Sequence, residues 1–164
     1  MKALAHALAH AAFVAATGAA APAGADTLTD ILGRGGLLGG WAVDCGAPPS
    51  LQNPHVDYLP AASGAVSREL YFAAGEAQGI FTIEAAELHD GGMIGIREVV
   101  DKLGNFAGLR YDESILLSPD RRRTRTMRSV DSSGRIIIDN GIVVAIHKES
   151  VWMNKCGDAG PPRT

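Results

Sequence analysis

Two cysteines stand at opposite ends of everything in this chain that is able to fold, Cys45 near the start and Cys156 near the end. No further thiol, and no histidine at ligand spacing, accompanies them to build a metal site. The simplest use for such a pair is one disulfide. Closing a loop of about a hundred residues removes on the order of 4–5 kcal/mol of unfolded-state freedom in the chain-entropy description. A bond of that span makes the first and last elements of the fold neighbours, which few architectures allow.

The segment ahead of the cysteines agrees with this chemistry. Met1 and Lys2 give a short positive start, an alanine-rich apolar run extends from Ala3 to Ala21, and Ala23-Gly24-Ala25 is a small-x-small cleavage site before Asp26. Export signals have this layout, and disulfides persist in the periplasm or outside the cell. Residues 1–25 are therefore expected to be a signal peptide cleaved after Ala25, leaving a periplasmic or secreted protein. What remains is enough for one core and too little for two. A single domain is expected over 26–156, followed by a disordered tail over 157–164. The formal net charge of −3 gives no basic field for a nucleic acid. Beyond the leader, no apolar stretch is long enough to span a membrane.

Gly46 to Pro54 holds three prolines and reads as a loop. From His55 on, stretches of alternating polarity are punctuated by turn residues at roughly 10–14-residue spacing. The strands read as 38–45, 55–60, 65–74, 79–89, 93–102, 107–117, 122–131, 135–139 and 142–151. Asp90-Gly91-Gly92, Gly104-Asn105 and Asn140-Gly141 supply the backbone conformations that hairpins require. Val66, Leu70 and Phe72 share one parity, as do Phe81, Ile83 and Ala85, and later Leu109, Tyr111, Ile115 and Leu117. Half-buried antiparallel strands alternate in this way. Thr27 or Thr29 caps a short helical turn before the first strand. The expected fold is all-β: an antiparallel meander of about eight or nine strands rolled into a closed or nearly closed barrel. A barrel is preferred to an open sandwich because closure removes exposed edges. It also brings Cys45 and Cys156 within disulfide range.

Gly39-Gly40-Trp41, on the first strand after a helical turn, resembles the G-x-W opening of lipocalins and the wider calycin superfamily. The resemblance covers these few residues and the strand count, and the T-D-Y element of lipocalins is missing. It implies that Trp41 closes one barrel end beneath an arginine from a late strand, here Arg128 or Arg135. It also implies an interior that is either filled or holds one small apolar molecule. Phe72, Phe81, Ile83, Leu109 and Tyr111 are candidate interior residues, with Val66, Leu70, Ile94 and Ile96. Trp41 and Trp152 each precede a cysteine by four residues, so both are read as a plug gathered around the disulfide.

Arg121 to Arg128 is the densest charge cluster. Alternation places Arg121, Arg123 and Arg125 on one face, a candidate strip for an anion or a partner, since guanidinium forks match phosphate and carboxylate. The alternative is a solvated face paired with Asp112 and Glu113 on the preceding strand. His55 with Asp57 and His89 with Asp90 are local pairs without metal-ligand spacing. No nucleophile elbow is present, and bridged cysteines are lost as nucleophiles. Glu69, Glu84, Glu87 and Glu98 are scattered and read as exposed strand positions. No metal, no cofactor and no catalysis are expected. The expectation is a non-enzymatic binding module for a small apolar or amphipathic ligand or a protein partner. The alternative is a periplasmic inhibitor of a protease or lysozyme, the protease type inserting Asp26-Thr27-Leu28 into its target.

Overall fold

The computed structural model describes residues 26–157, so the leader 1–25 and residues 158–164 lie outside the described residues. Helix α1 (Leu28–Gly35) comes first. Eleven strands follow: β1 (Gly39–Ala42), β2 (His55–Pro60), β3 (Val66–Tyr71), β4 (Gly79–His89), β5 (Met93–Lys102), β6 (Arg110–Leu117), β7 (Arg123–Asp131), β8 (Ile136–Asp139), β9 (Ile142–Val143), β10 (Lys148–Glu149) and β11 (Met153–Gly157). Gly157, expected in the tail, ends the last strand.

Eight strands close a barrel. The antiparallel order β7-β11-β1-β2-β3-β4-β5-β6 returns to β7 through the β6–β7 ladder. Strands β8, β9 and β10 branch from β7 as an arm outside the ring. The stretch 135–139 is therefore not a barrel strand, and neither is 142–151. The latter reverses over residues 144–147, where His147 takes a left-handed backbone with φ 50°. The apolar run from Ile142 to Ile146 conceals that reversal, which is made without glycine or proline. Met153–Gly157 takes the closing position instead, pairing with β1 on one side and β7 on the other. The disulfide forms as expected: Cys45 and Cys156, 111 positions apart, have Cα atoms separated by 5.3 Å.

Helix α1 covers one end of the barrel. Thr27 Oγ1 accepts from the Asp30 amide at 3.2 Å, and Asp30 Oδ2 accepts from the Thr27 amide at 3.0 Å, a reciprocal cap. Gly36 ends the helix in the left-handed conformation. Leu32 is fully buried beneath it. A Cβ on Gly35 would lie 2.6 Å from Ile94 Cδ1 and 2.9 Å from Leu88 Cδ2, so a larger residue there would push these side-chain tips aside where the helix meets β4 and β5.

One continuous apolar cluster fills this part of the lumen, joining Leu32, Leu37, Trp41, Val56, Tyr58, Val66, Ile83, Ile94, Ile96, Ile115 and Leu117. Trp41 donates its indole N–H to the Leu37 carbonyl at 2.8 Å. The cation over its ring is Lys155 of β11, with Nζ 5.1 Å from the centroid and donating to the Gly36 and Leu38 carbonyls. Arg128 and Arg135 do not take that place; they pair with Asp139 and Asp131.

Candidate functional site

Where α1 meets the β4–β5 and β6–β7 hairpins, the surface opens into a groove of about 440 Å³. Leu88, Met93, Ile94 and Leu117 give it an apolar floor, and Arg34, His89 and Arg121 stand around it. Among the described residues, no carboxylate lines it. One glycine shapes the rim, and another beside it admits the Arg121 stem. Gly92, at φ 80°, lies so close to the Leu117 carbonyl that a Cβ would sit 2.8 Å from its oxygen. Gly36 leaves room for the Arg121 stem, whose Cδ a Cβ there would meet at 2.8 Å.

Arg121 itself is held in a left-handed backbone, φ 55°, within a turn where its amide donates to the Ser118 carbonyl at 2.7 Å. A non-glycine residue in that region carries some strain. The turn is braced by Asp120, whose carboxylate accepts from the Ser118 hydroxyl and the Arg122 amide. Arg34 is different: it holds Asp26 at 2.8 Å in an exposed pair.

The structure divides the expected arginine strip. Arg121 lies in the turn and lines the groove, while Arg123 and Arg125 share the outer face of β7 and approach the Trp152 ring at 5.1 and 5.4 Å. Arg125 is a pin for the arm, donating to the Gly141 carbonyl at 2.6 Å and lying 3.4 Å from Glu149. Asp112 and Glu113, the partners read from sequence, are engaged by Arg97 and Arg68 instead.

Trp41 is fully buried, whereas Trp152 is half-buried beside the two arginines. The double plug is therefore not formed as expected. Strand β1 ends at Ala42, so the parity argument never reaches Cys45, and Trp152 lies one residue before β11. Among the interior candidates, Phe81 and Ile83 are buried, and Phe72, Leu109 and Tyr111 are half-buried near strand ends.

Sequence reasoning missed a buried ionic group in the same lumen. Arg68 bonds to Glu98, lies 3.2 Å from Glu113, and stacks over the Phe81 ring at 4.3 Å. Ser129 donates to Glu113 at 3.1 Å. Burial works against the Arg68 charge, but Glu113 and Glu98 outweigh it and hold the guanidinium protonated. Burial pushes the Glu98 carboxyl up to about 8, aided by Glu113 and opposed by Arg68. Parity carried the signal: Arg68 alternates with Val66 and Leu70, Glu98 with Ile96 and Val100, Glu113 with Ile115 and Leu117.

The two local histidine pairs have other surroundings. His55 is buried, with Nε2 3.0 Å from the Ala47 carbonyl, and helps to hold the Gly46–Pro54 loop. His89 lines the groove. Among the described residues, no three histidine, cysteine or acidic side chains are grouped to hold a metal, and no helix is long and apolar enough to cross a membrane. No family model matches the chain, and no curated protein or solved structure matches it. Chemically, the groove offers an apolar bed with guanidinium at its edge.

Proposed function

We propose that the protein is an exported, calycin-like barrel that acts by binding, and that it holds a small amphipathic ligand in the groove at the α1 end. Its lumen is occupied by its own side chains, from Trp41 through Ile83 to Ile115, so a ligand inside the barrel has little support. The observation that carries the reading is the groove: about 440 Å³, apolar below, with basic residues and, among the described residues, no carboxylate in its lining. That volume lies within the usual range of small-molecule sites, roughly 300–1,000 Å³. Gly39-x-Trp41 on β1, with Lys155 of the last strand over the indole, supports the calycin-like assignment.

Native mass spectrometry of the protein recovered from the periplasm tests this. A retained small ligand is expected for the wild type and lost in Leu88→Asp, which places a charge on the floor at an already 40% exposed position. Retention undiminished in that variant would refute the groove.

A second reading, inhibition of a secreted protease or lysozyme, gains from the filled barrel and from Val144 and Ile146, exposed at the tip of the arm. It does not gain from Asp26-Thr27-Leu28, which are engaged in the α1 cap and the Arg34 pair. Inhibition lost on Ile146→Asp and kept on Leu88→Asp would favour it over ligand binding.

A further inference from the structure

Arginine is used unevenly across this surface. Arg34, Arg68, Arg97, Arg110, Arg125, Arg128 and Arg135 each lie within ion-pair distance of a carboxylate. Among the described residues, the arginines without such a partner are Arg121, Arg122 and Arg123, which are consecutive and exposed. The turn that carries them sits beside the groove's apolar rim, where Leu88 is exposed. Asp120, the one acidic side chain of that turn, is bonded to Ser118 and to the Arg122 amide.

We infer that this corner of the barrel docks on a lipid bilayer bearing anionic headgroups. Three guanidinium groups without carboxylate partners provide charge complementarity, and each forks onto a phosphate more effectively than a point charge would. Trp152, stacked against Arg123 at 5.1 Å, adds an amphipathic ring of the kind that suits a membrane interface. The exposed Leu88 gives an apolar contact at the boundary. A net charge of −3 does not oppose this, because attraction follows the local field and the other arginines are matched by neighbouring carboxylates. Arg121 and Leu88 also line the groove, whereas Arg122, Arg123 and Trp152 lie outside its lining, so flotation and ligand retention are read separately.

Vesicle flotation of the mature protein, residues 26–164, tests it, using phosphatidylcholine vesicles with and without phosphatidylglycerol. The wild type is expected to float with the anionic vesicles alone, and less as salt rises. Arg121→Asn combined with Arg122→Gln and Arg123→Gln is expected to weaken this by about 100-fold, at roughly 1 kcal/mol per arginine. Asparagine tolerates the left-handed backbone at position 121, so this variant keeps its turn. A control, Arg97→Gln with Arg110→Gln and Arg128→Gln, loses the same formal charge from surface pairs and is expected to float as the wild type does. Three results overturn the inference: no flotation of the wild type, flotation of the turn variant at wild-type strength, or equal weakening in the control. Salt-sensitive capture of an acidic protein by the wild type, without flotation, would also overturn it.

Discussion

Toward α1 the lumen is packed with Trp41, Leu32, Leu37, Ile94 and Leu117, which carry no charge, whereas the registers from Ile83 onward hold Arg68, Glu98 and Glu113 beside Tyr58 and Ser129. The same ladders build both regions: Ile83 lies opposite Glu98, one inward position after Phe81 opposite Val100. The apolar region gains stability from every methylene removed from water. In the charged region, the desolvation of ions offsets much of their attraction. Arg68 Nε and Glu98 Oε2 make no hydrogen bond among the described residues. The contrast predicts that the regions respond differently to truncation and to pH.

The largest expected effect lies in the apolar region. Trp41→Ala removes a fully buried indole and should cost about 3–5 kcal/mol, read from urea unfolding. The loss should be nearly the same at pH 5 and pH 8, since Lys155, the cation over the ring, keeps its bonds to the Gly36 and Leu38 carbonyls. A loss below about 1 kcal/mol would mean that the tryptophan is not the keystone of that end.

Arg68→Met comes next. It leaves Glu98 and Glu113 buried without their cation and should cost about 3 kcal/mol near pH 8. Unlike the Trp41 loss, this one should shrink at pH 5, where Glu98, its carboxyl raised by burial, holds a proton. Replacing all three ions with Met or Leu should recover most of the stability, as matched apolar packing often does. Equal losses at both pH values would erase the distinction between the regions.

This contrast also sets what could be read from the chain. Alternation located the barrel strands from Val66 to Asp131, because each buries one face and turns at Gly, Asn or Asp. Closure followed from Cys45 and Cys156. The arm escaped because Val144–His147 reverses without the residues that mark turns, His147 adopting the left-handed backbone instead. Glu98 escaped for another reason. A carboxylate on a strand reads as solvent-facing unless its parity is weighed together with an opposite charge on a neighbouring inward register, and that register is set only by strand pairing. The groove was the least legible part. It depends on where α1 docks, and on Gly35 and Gly36 admitting close neighbours.

A smaller effect per pH unit is expected in the wild type. Burial, with Glu113 beside it and against the pull of Arg68, raises the Glu98 carboxyl to about 8 in the fold, above its ordinary value. The folded state then holds a proton that the unfolded chain has released. Stability from this group is complete below the unfolded pKa and is lost as pH rises through the folded one. The expected slope between pH 5 and 8 is at most one proton, about 1.4 kcal/mol per pH unit. Glu84, held low by Arg110, contributes the opposite dependence, but only in more acid solution. Tyr58 is raised by burial and titrates above the scan. Urea midpoints that stay level from pH 5 to 8 would contradict this assignment.

Glu98→Gln isolates the source of that slope. Glutamine keeps the volume of a protonated glutamic acid and still accepts from Arg68, so at pH 5 the change should be below about 1 kcal/mol. At pH 8 and above, the variant should equal or exceed the wild type, because it never places a buried negative charge at position 98. Its stability should be nearly flat with pH where the wild type declines, so the two curves cross. A variant that retains the slope would move the responsible proton to another group in the lumen. A variant that loses stability equally at every pH would instead make Glu98 a structural hydrogen-bond acceptor, as insensitive to pH as the tryptophan at the other end.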